Sequence, residues 1–242
     1  MQLPALFNVM REEGIAYGAD LHEELLGSPA DEGWRATVAA IHDPARLLPR
    51  FNQRFATALA AADQAAIEAW FAQAPGNRIV THEIETRKRL LDPAAEDSAE
   101  AQAQAADLAG NPKLAAVRRV IAATDLVEAN VVGGMNANLA FYKAMAAGGA
   151  FPDPVGDDTM LDDIAAQEDD IRQDVTVWLE SYLFQAYEPL SIQDLDRLAA
   201  FSRSVPGQQV LRAEFDAFDA VFEETSAELG AALARRITAT DL

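Results

Sequence analysis

Residues 178–222 read WLESYLFQAYEPLSIQDLDRLAAFSRSVPGQQVLRAEFDAFDAVF, and residues 47–91 read LLPRFNQRFATALAAADQAAIEAWFAQAPGNRIVTHEIETRKRLL. At an offset of 131 positions, the two segments align without a gap and place apolar residue on apolar residue at helical spacing. The matched positions include Phe51 with Tyr182, Ile67 with Leu198, Trp70 with Phe201, Gly76 with Gly207, and Glu83 with Glu214. A duplicated unit must keep its core positions and its turn, so the pattern predicts two similar helical hairpins.

The rest of the chain also has the periodicity of helices. No segment shows sustained alternation with a period of two, which half-buried strands require. We therefore expect an all-α protein, a helical bundle built from two similar helical repeats. The expected division is an N-terminal helical repeat over 1–110 and a C-terminal helical repeat over 111–242, packed as one globular unit.

The sequence makes three specific predictions about helices within this bundle. The Ala/Gln-rich stretch from Asp92 to about Gly110 has almost no apolar stripe, which is typical of an exposed connecting helix. The helix that follows it is expected to break at Gly133-Gly134, because adjacent glycines weaken a helix. One long helix is expected from Asp157 to Ala186, ended by the proline at position 189.

Composition excludes several classes of partner. With 39 acidic against 19 basic residues, the net charge of −20 repels phosphate backbones and anionic lipid surfaces, so we expect no nucleic acid as partner. No apolar run reaches the length of a membrane span, so no membrane insertion is expected. The chain has no cysteine, which removes thiolate chemistry and disulfides, and its 50% apolar content is enough to build a core without them.

The C-terminal copy resembles the bacterial domain-of-unknown-function family 2059. That family has a helix ending in an aromatic pair, then a Ser-Pro-x-Gly turn and a second amphipathic helix. Phe201, Ser204 and Gly207 match this pattern by position, whereas Ser202 replaces the second aromatic residue and the proline is displaced to Pro206. The resemblance covers roughly 50 residues at the C-terminus, with a weaker echo near 60–91. It implies a helical bacterial protein, often exported to the cell envelope, with no assigned activity.

Polar residues cluster around Gly133-Gly134 in an otherwise apolar stretch, and they are the best candidates for a ligand site. These residues are Glu128, Asn130, Asn136, Asn138 and Tyr142. Buried polar groups need hydrogen-bond partners, and glycines let a ligand approach the backbone closely. The alternative interpretation is that these side chains cap helices and form hydrogen bonds between them.

Other sequence patterns give no indication of a metal site or a catalytic site. His82-Glu83 is not followed by a second histidine one helical turn later, so it is interpreted as a helix surface with a Glu83–Arg87 pair. The acidic run from Asp153 to Asp174 lacks the spacing of a calcium loop and is interpreted as a solvated face. No nucleophile elbow or phosphate-binding glycine loop is present. We expect no catalytic residue, no metal site and no cofactor.

A stripe of aromatic residues runs through the second copy. It comprises Trp178, Tyr182, Phe215, Phe218 and Phe222. Large apolar residues at matching positions in both copies favour a role in the core. A groove that binds a partner is the alternative.

These observations lead to two hypotheses for function. The first is a non-catalytic cell-envelope interaction protein that acts on an unknown protein partner or by self-association. The second is a small-molecule or lipid binder that uses a cavity between the repeats. The resemblance implies a periplasmic or secreted location, and a cytoplasmic location is the alternative. No basic and apolar leader pattern follows Met1, so we expect the leader to be absent from this chain.

Overall fold

The computed structural model describes residues 2–60 and 62–240, and these residues form twelve α-helices and no strand. The helices are α1 (Leu3–Leu26), α2 (Glu32–Ile41), α3 (Pro44–Ala58), α4 (Gln64–Phe71), α5 (Gly76–Arg89), α6 (Pro93–Leu108), α7 (Pro112–Thr124), α8 (Leu126–Ala147), α9 (Asp157–Ala165), α10 (Glu168–Ala186), α11 (Ile192–Arg203) and α12 (Val205–Thr240). The prediction of an all-α fold is confirmed.

Local sequence signals set many of the helix ends. Asp43, Asp92 and Asn111 each stand before a proline at the first helical position and accept a hydrogen bond from a backbone N–H of the first turn. Ser191 and Asp194 form the reciprocal capping box at the start of α11. Each cap satisfies backbone donors that the helix itself leaves without partners.

Helices from the two halves of the chain pack against each other. Helices α8 and α12, both from the second half, lie side by side. In addition, α3 from the first half packs on α12, while α10 from the second half packs on α5. The expected division after residue 110 coincides with the turn at Gly110, which has a positive φ of 62°. Each half therefore supplies part of the other half's packing surface.

The predicted break at Gly133-Gly134 is wrong. Helix α8 runs without interruption through both glycines, and the chain instead breaks at Asp125, the only described non-glycine residue with positive φ (57°). Packing explains the difference, because Gly133 lies against α12. The contacts between α8 and α12 stabilise the helix and compensate for the low helix propensity of glycine.

Two other boundary predictions need correction. The predicted helix from Asp157 to Ala186 is divided into α9 and α10 by a turn at Ala166 and Gln167. Helix α6 is not simply an exposed connection, because Ala99, Ala103 and Ala106 are buried and the helix packs on α10. In an alanine-rich stretch, a buried face made of alanine is indistinguishable in sequence from an exposed one.

The two segments that match in sequence share local geometry at their turns. Gly76 begins α5 and Gly207 lies in the first turn of α12. A Cβ at Gly76 would lie 2.4 Å from the Trp70 carbonyl oxygen, and one at Gly207 would lie 2.0 Å from the Phe201 carbonyl oxygen. Both turns thus need glycine for the same close approach to the carbonyl six residues earlier. Superposition of the complete segments 47–91 and 178–222 stays a prediction.

The matched aromatic residues also meet in space. The rings of Trp70 and Phe201 stack with centroids 4.5 Å apart and planes inclined by 6°. This contact joins α4 to α11 at equivalent positions of the two segments. In the part of the chain that the structure describes, no helix is long and apolar enough to cross a membrane.

Candidate binding cavity

A cavity of about 570 Å³ lies between helices of both halves. The volume falls within the range of roughly 300–1,000 Å³ that is typical of small-molecule sites. Helices α5 and α10 supply one part of its wall and α8 and α12 another. Asn130 and Phe222, both exposed to solvent, stand where the cavity reaches the surface.

Aromatic side chains form much of the wall. Trp178 and Tyr182 stack with ring centroids 4.9 Å apart, and both pack against the buried cluster around Leu179 while they line the cavity. The remaining aromatic lining residues are Trp70, Phe71, Tyr187, Phe201, Phe215, Phe218 and Phe222. The sequence stripe predicted as core therefore lies between the core and the cavity, which makes it available to a ligand.

Two carboxyl groups that match in the sequence repeat line this cavity. Glu83 on α5 accepts a hydrogen bond of 2.6 Å from the Tyr187 hydroxyl. Glu214 on α12 has no hydrogen-bond partner among the residues the structure describes. Loss of solvent raises the pKa of each carboxyl from 4.5 to about 7. For Glu83 the Tyr187 hydrogen bond opposes the rise and the charge of Glu214 adds to it, whereas for Glu214 the positive charge of the chain's N-terminus opposes the rise.

The one arginine in the cavity wall is already engaged. Arg87 donates two hydrogen bonds to the Glu13 carboxylate, from Nε at 2.7 Å and from Nη2 at 2.8 Å. Burial opposes the charge of Arg87, but the charge and hydrogen bonds of Glu13 outweigh it and raise its pKa. The sequence predicted a Glu83–Arg87 pair on an exposed face; the structure contradicts this, because Arg87 binds Glu13 and Glu83 faces Tyr187.

A third carboxyl, Asp219, reaches the cavity beside Gly133. A Cβ on Gly133 would lie 2.8 Å from Asp219 Oδ1, so the glycine leaves room for this carboxyl to approach α8. Partial burial raises the pKa of Asp219, and Glu223 and Asp216 raise it further. The ionisable groups of the wall thus give a surplus of acidic over basic side chains.

Of the five residues that the sequence singled out, one lines the cavity. Asn130 does so, and its amide also donates to the Leu126 carbonyl at 2.7 Å. Glu128 lies on the exposed side of α8 and binds Arg172 at 2.7 Å, and Asn136 is exposed. Asn138 and Tyr142 are partly buried outside the cavity wall, where Tyr142 packs edge-on against Phe141. Uninterrupted helical geometry spreads these residues around α8 instead of gathering them.

Sequence reasoning did not select Glu83 and Glu214, although a signal was present. The two acids coincide in the repeat, and each follows an apolar pair, Ile79-Val80 or Val210-Leu211, by one helical turn. An acidic residue kept on an apolar face in both copies indicates a shared interior position.

Side chains that could bind a metal are dispersed in the described part of the chain. Within 2–60 and 62–240 no group of three or more His, Asp or Glu side chains is placed to hold a metal ion. His22, His42 and His82 lie on three different helices or their ends and none of them lines the cavity. The cavity is a largely apolar space that opens to solvent and carries a few acidic groups.

Comparison of the chain with protein-family models, curated proteins and solved structures finds no match in any of the three.

Proposed function

We propose that this protein binds a small, largely apolar molecule in the cavity between its two halves. The observation that carries the proposal is the cavity itself, with a volume of about 570 Å³, an aromatic and aliphatic wall, and a small set of polar groups. Sites of this composition bury most of a ligand's apolar surface and use the few polar groups to orient it.

The other sequence hypothesis, contact with a protein partner or self-association at the cell envelope, stays a prediction. Large exposed apolar side chains are spread over several helices. They are Tyr17, Leu25, Leu108, Val132, Leu161, Val177, Val205 and Phe222. Single exposed apolar residues are normal on soluble proteins, so they favour the cavity over a surface patch as the functional feature.

A cavity-filling substitution tests the proposal. Ala137 lines the cavity from α8, whereas Ala122 on α7 is exposed to solvent and lies outside the wall. We expect the neutral dye Nile red to bind the wild-type protein with a rise in fluorescence. Ala137→Phe should weaken that binding by about tenfold or more, because the new ring occupies ligand space. Ala122→Phe is the matched control and should bind the dye as the wild type does.

Native mass spectrometry of the purified protein gives an independent reading of the same question. A co-purified small molecule on the wild type, reduced in Ala137→Phe, would support the cavity as its site. Equal dye binding by the wild type and Ala137→Phe would place the dye on the surface and contradict the proposal.

A further inference from the structure

The acidic groups of the cavity select one class of ligand, and this inference rests on the proposed function above. The lining holds three carboxyl groups, Glu83, Glu214 and Asp219, against a single guanidinium, that of Arg87. Glu13 binds Arg87 through both of its oxygens, so the guanidinium has its counter-charge within the protein. A carboxylate or phosphate ligand would therefore meet a surplus of acidic over basic side chains in the described part of the wall.

Glu214 contributes one of these carboxyl groups from α12. Its side chain lines the cavity, where burial raises its pKa and the positive charge of the chain's N-terminus lowers it. A carboxylate is unfavourable where water is removed, so a wholly apolar ligand would raise the cost of its charge. A ligand that carries a positive charge and N–H donors would remove this penalty.

Glu83 offers a second acceptor at the same site. Its Oε1 accepts from Tyr187, while Oε2 makes no other hydrogen bond in the described part of the chain. Both carboxyls line the same cavity, and the charge of Glu214 raises the pKa of Glu83. An alkylammonium group has three N–H donors and one positive charge, which is enough to bind both carboxyls together.

The aromatic wall suits the remainder of such a molecule. Trp178, Tyr182, Phe215 and Phe218 supply ring faces and apolar surface around the carboxyls. Ring faces attract cations as well as alkyl chains, as the position of the Arg87 guanidinium 5.8 Å from the centroid of the Trp178 ring illustrates. We propose that the ligand of this cavity is an amphipathic amine, with its ammonium group bound by Glu214 and Glu83 and its apolar body held by the aromatic wall.

Three probes that share one alkyl chain separate the charge of the head group from the apolar contribution. Decylamine, decanol and decanoate are titrated into the wild-type protein below their aggregation limits, at about pH 8 so that the carboxyls are ionised. Isothermal calorimetry measures each affinity, and Trp70 and Trp178, which line the cavity, supply a fluorescence signal. We expect decylamine to bind about tenfold tighter than decanol, and decanoate to bind more weakly than either.

Substitutions then assign the preference to the carboxyl groups. Glu214→Gln should reduce the affinity for decylamine by about tenfold and leave that for decanol within about twofold. Glu83→Gln should act in the same direction and serves as a second variant if Glu214→Gln does not fold. Glu100→Gln removes the same charge from an exposed position on α6, outside the cavity wall, and should leave all three affinities unchanged.

The outcomes distinguish this inference from the proposed function. Equal binding of the three probes, or an undiminished preference for decylamine in both Gln variants, overturns the amine assignment and leaves a general apolar binder. Tighter binding of decanoate overturns it as well. If none of the probes binds and Nile red does not bind either, the proposed function fails together with the inference.

Discussion

At the scale of single residues, the unusual groups of this protein are its interior acids. Glu83 and Glu214 each have a pKa of about 7, against an ordinary value of 4.5, because both are removed from solvent. The folded state therefore favours the protonated form of each carboxyl. Ionisation of these groups weakens the fold unless a ligand or a neighbour compensates for the charge.

This gives a prediction for the pH dependence of stability. A carboxyl whose pKa is raised in the folded state imposes no penalty below the unfolded value, and its penalty grows as the pH rises through the folded value. Glu214→Gln should therefore increase the free energy of unfolding by about 2–3 kcal/mol at pH values above about 8, and by much less near pH 4. Urea denaturation at both pH values measures the difference.

Glu100→Gln on α6 is the control for this experiment, since its exposed side chain loses the same charge outside the cavity wall. A gain in stability for Glu214→Gln that is equal at the two pH values would mean that the carboxyl is not buried in its charged state.

At the scale of the helices, glycine has opposite roles in different places. Gly207 lies where a Cβ would be 2.0 Å from a backbone carbonyl oxygen, so the turn between α11 and α12 depends on its lack of a side chain. Gly134 lies within α8, and a Cβ there would meet no atom within 4 Å. One glycine is required by packing, whereas the other only weakens its helix.

We expect opposite effects when each of these glycines is replaced by alanine. Gly207→Ala should lower the free energy of unfolding by about 2–4 kcal/mol, because the Phe201 carbonyl cannot move without distorting α11. Gly134→Ala should raise it by about 0.5–1 kcal/mol, through helix propensity and reduced freedom of the unfolded chain. Thermal and urea unfolding measure both. A loss of stability in Gly134→Ala would indicate a break in α8, as the sequence alone predicted.

The sequence predicted the helices better than the way they divide and pack. Asp or Asn followed by proline marks the starts of α3, α6 and α7, and a serine capping box marks that of α11, because capping is a local interaction that sequence contains. The break at Asp125 and the continuity through Gly133-Gly134 depend on contacts with distant helices, which local composition does not contain. The cavity could not be predicted from the sequence either, because its wall joins residues from eight helices. Among the candidate site residues, only Asn130 belongs to that wall.

At the scale of the whole molecule, the two sequence halves are interlocked. Helix α3 packs on α12 and α10 packs on α5, so each half covers apolar surface of the other. One buried cluster joins Phe7, Phe51 and Val221, and another joins Trp34 and Leu233. Two of the three buried clusters thus draw side chains from both halves, while the third lies mainly in the second half.

We therefore predict that residues 1–110 and 111–242, produced separately, do not unfold cooperatively. Each fragment alone should keep part of its helicity but give a broad thermal transition by circular dichroism, because its apolar faces lack their partners. Mixing the fragments should restore a sharp transition. A sharp transition in either isolated fragment would show that it is an independent domain.

The position of α12 in the chain also has a consequence for synthesis on the ribosome. This helix covers residues 205–240 and contacts α1, α2, α3, α4 and α8. Phe7, Trp34 and Phe51 leave the ribosome long before the helix that buries them, so the nascent chain carries exposed aromatic side chains for most of its translation. We expect this chain to depend on chaperones that shelter nascent apolar segments, and to release them only when its C-terminal helix has emerged.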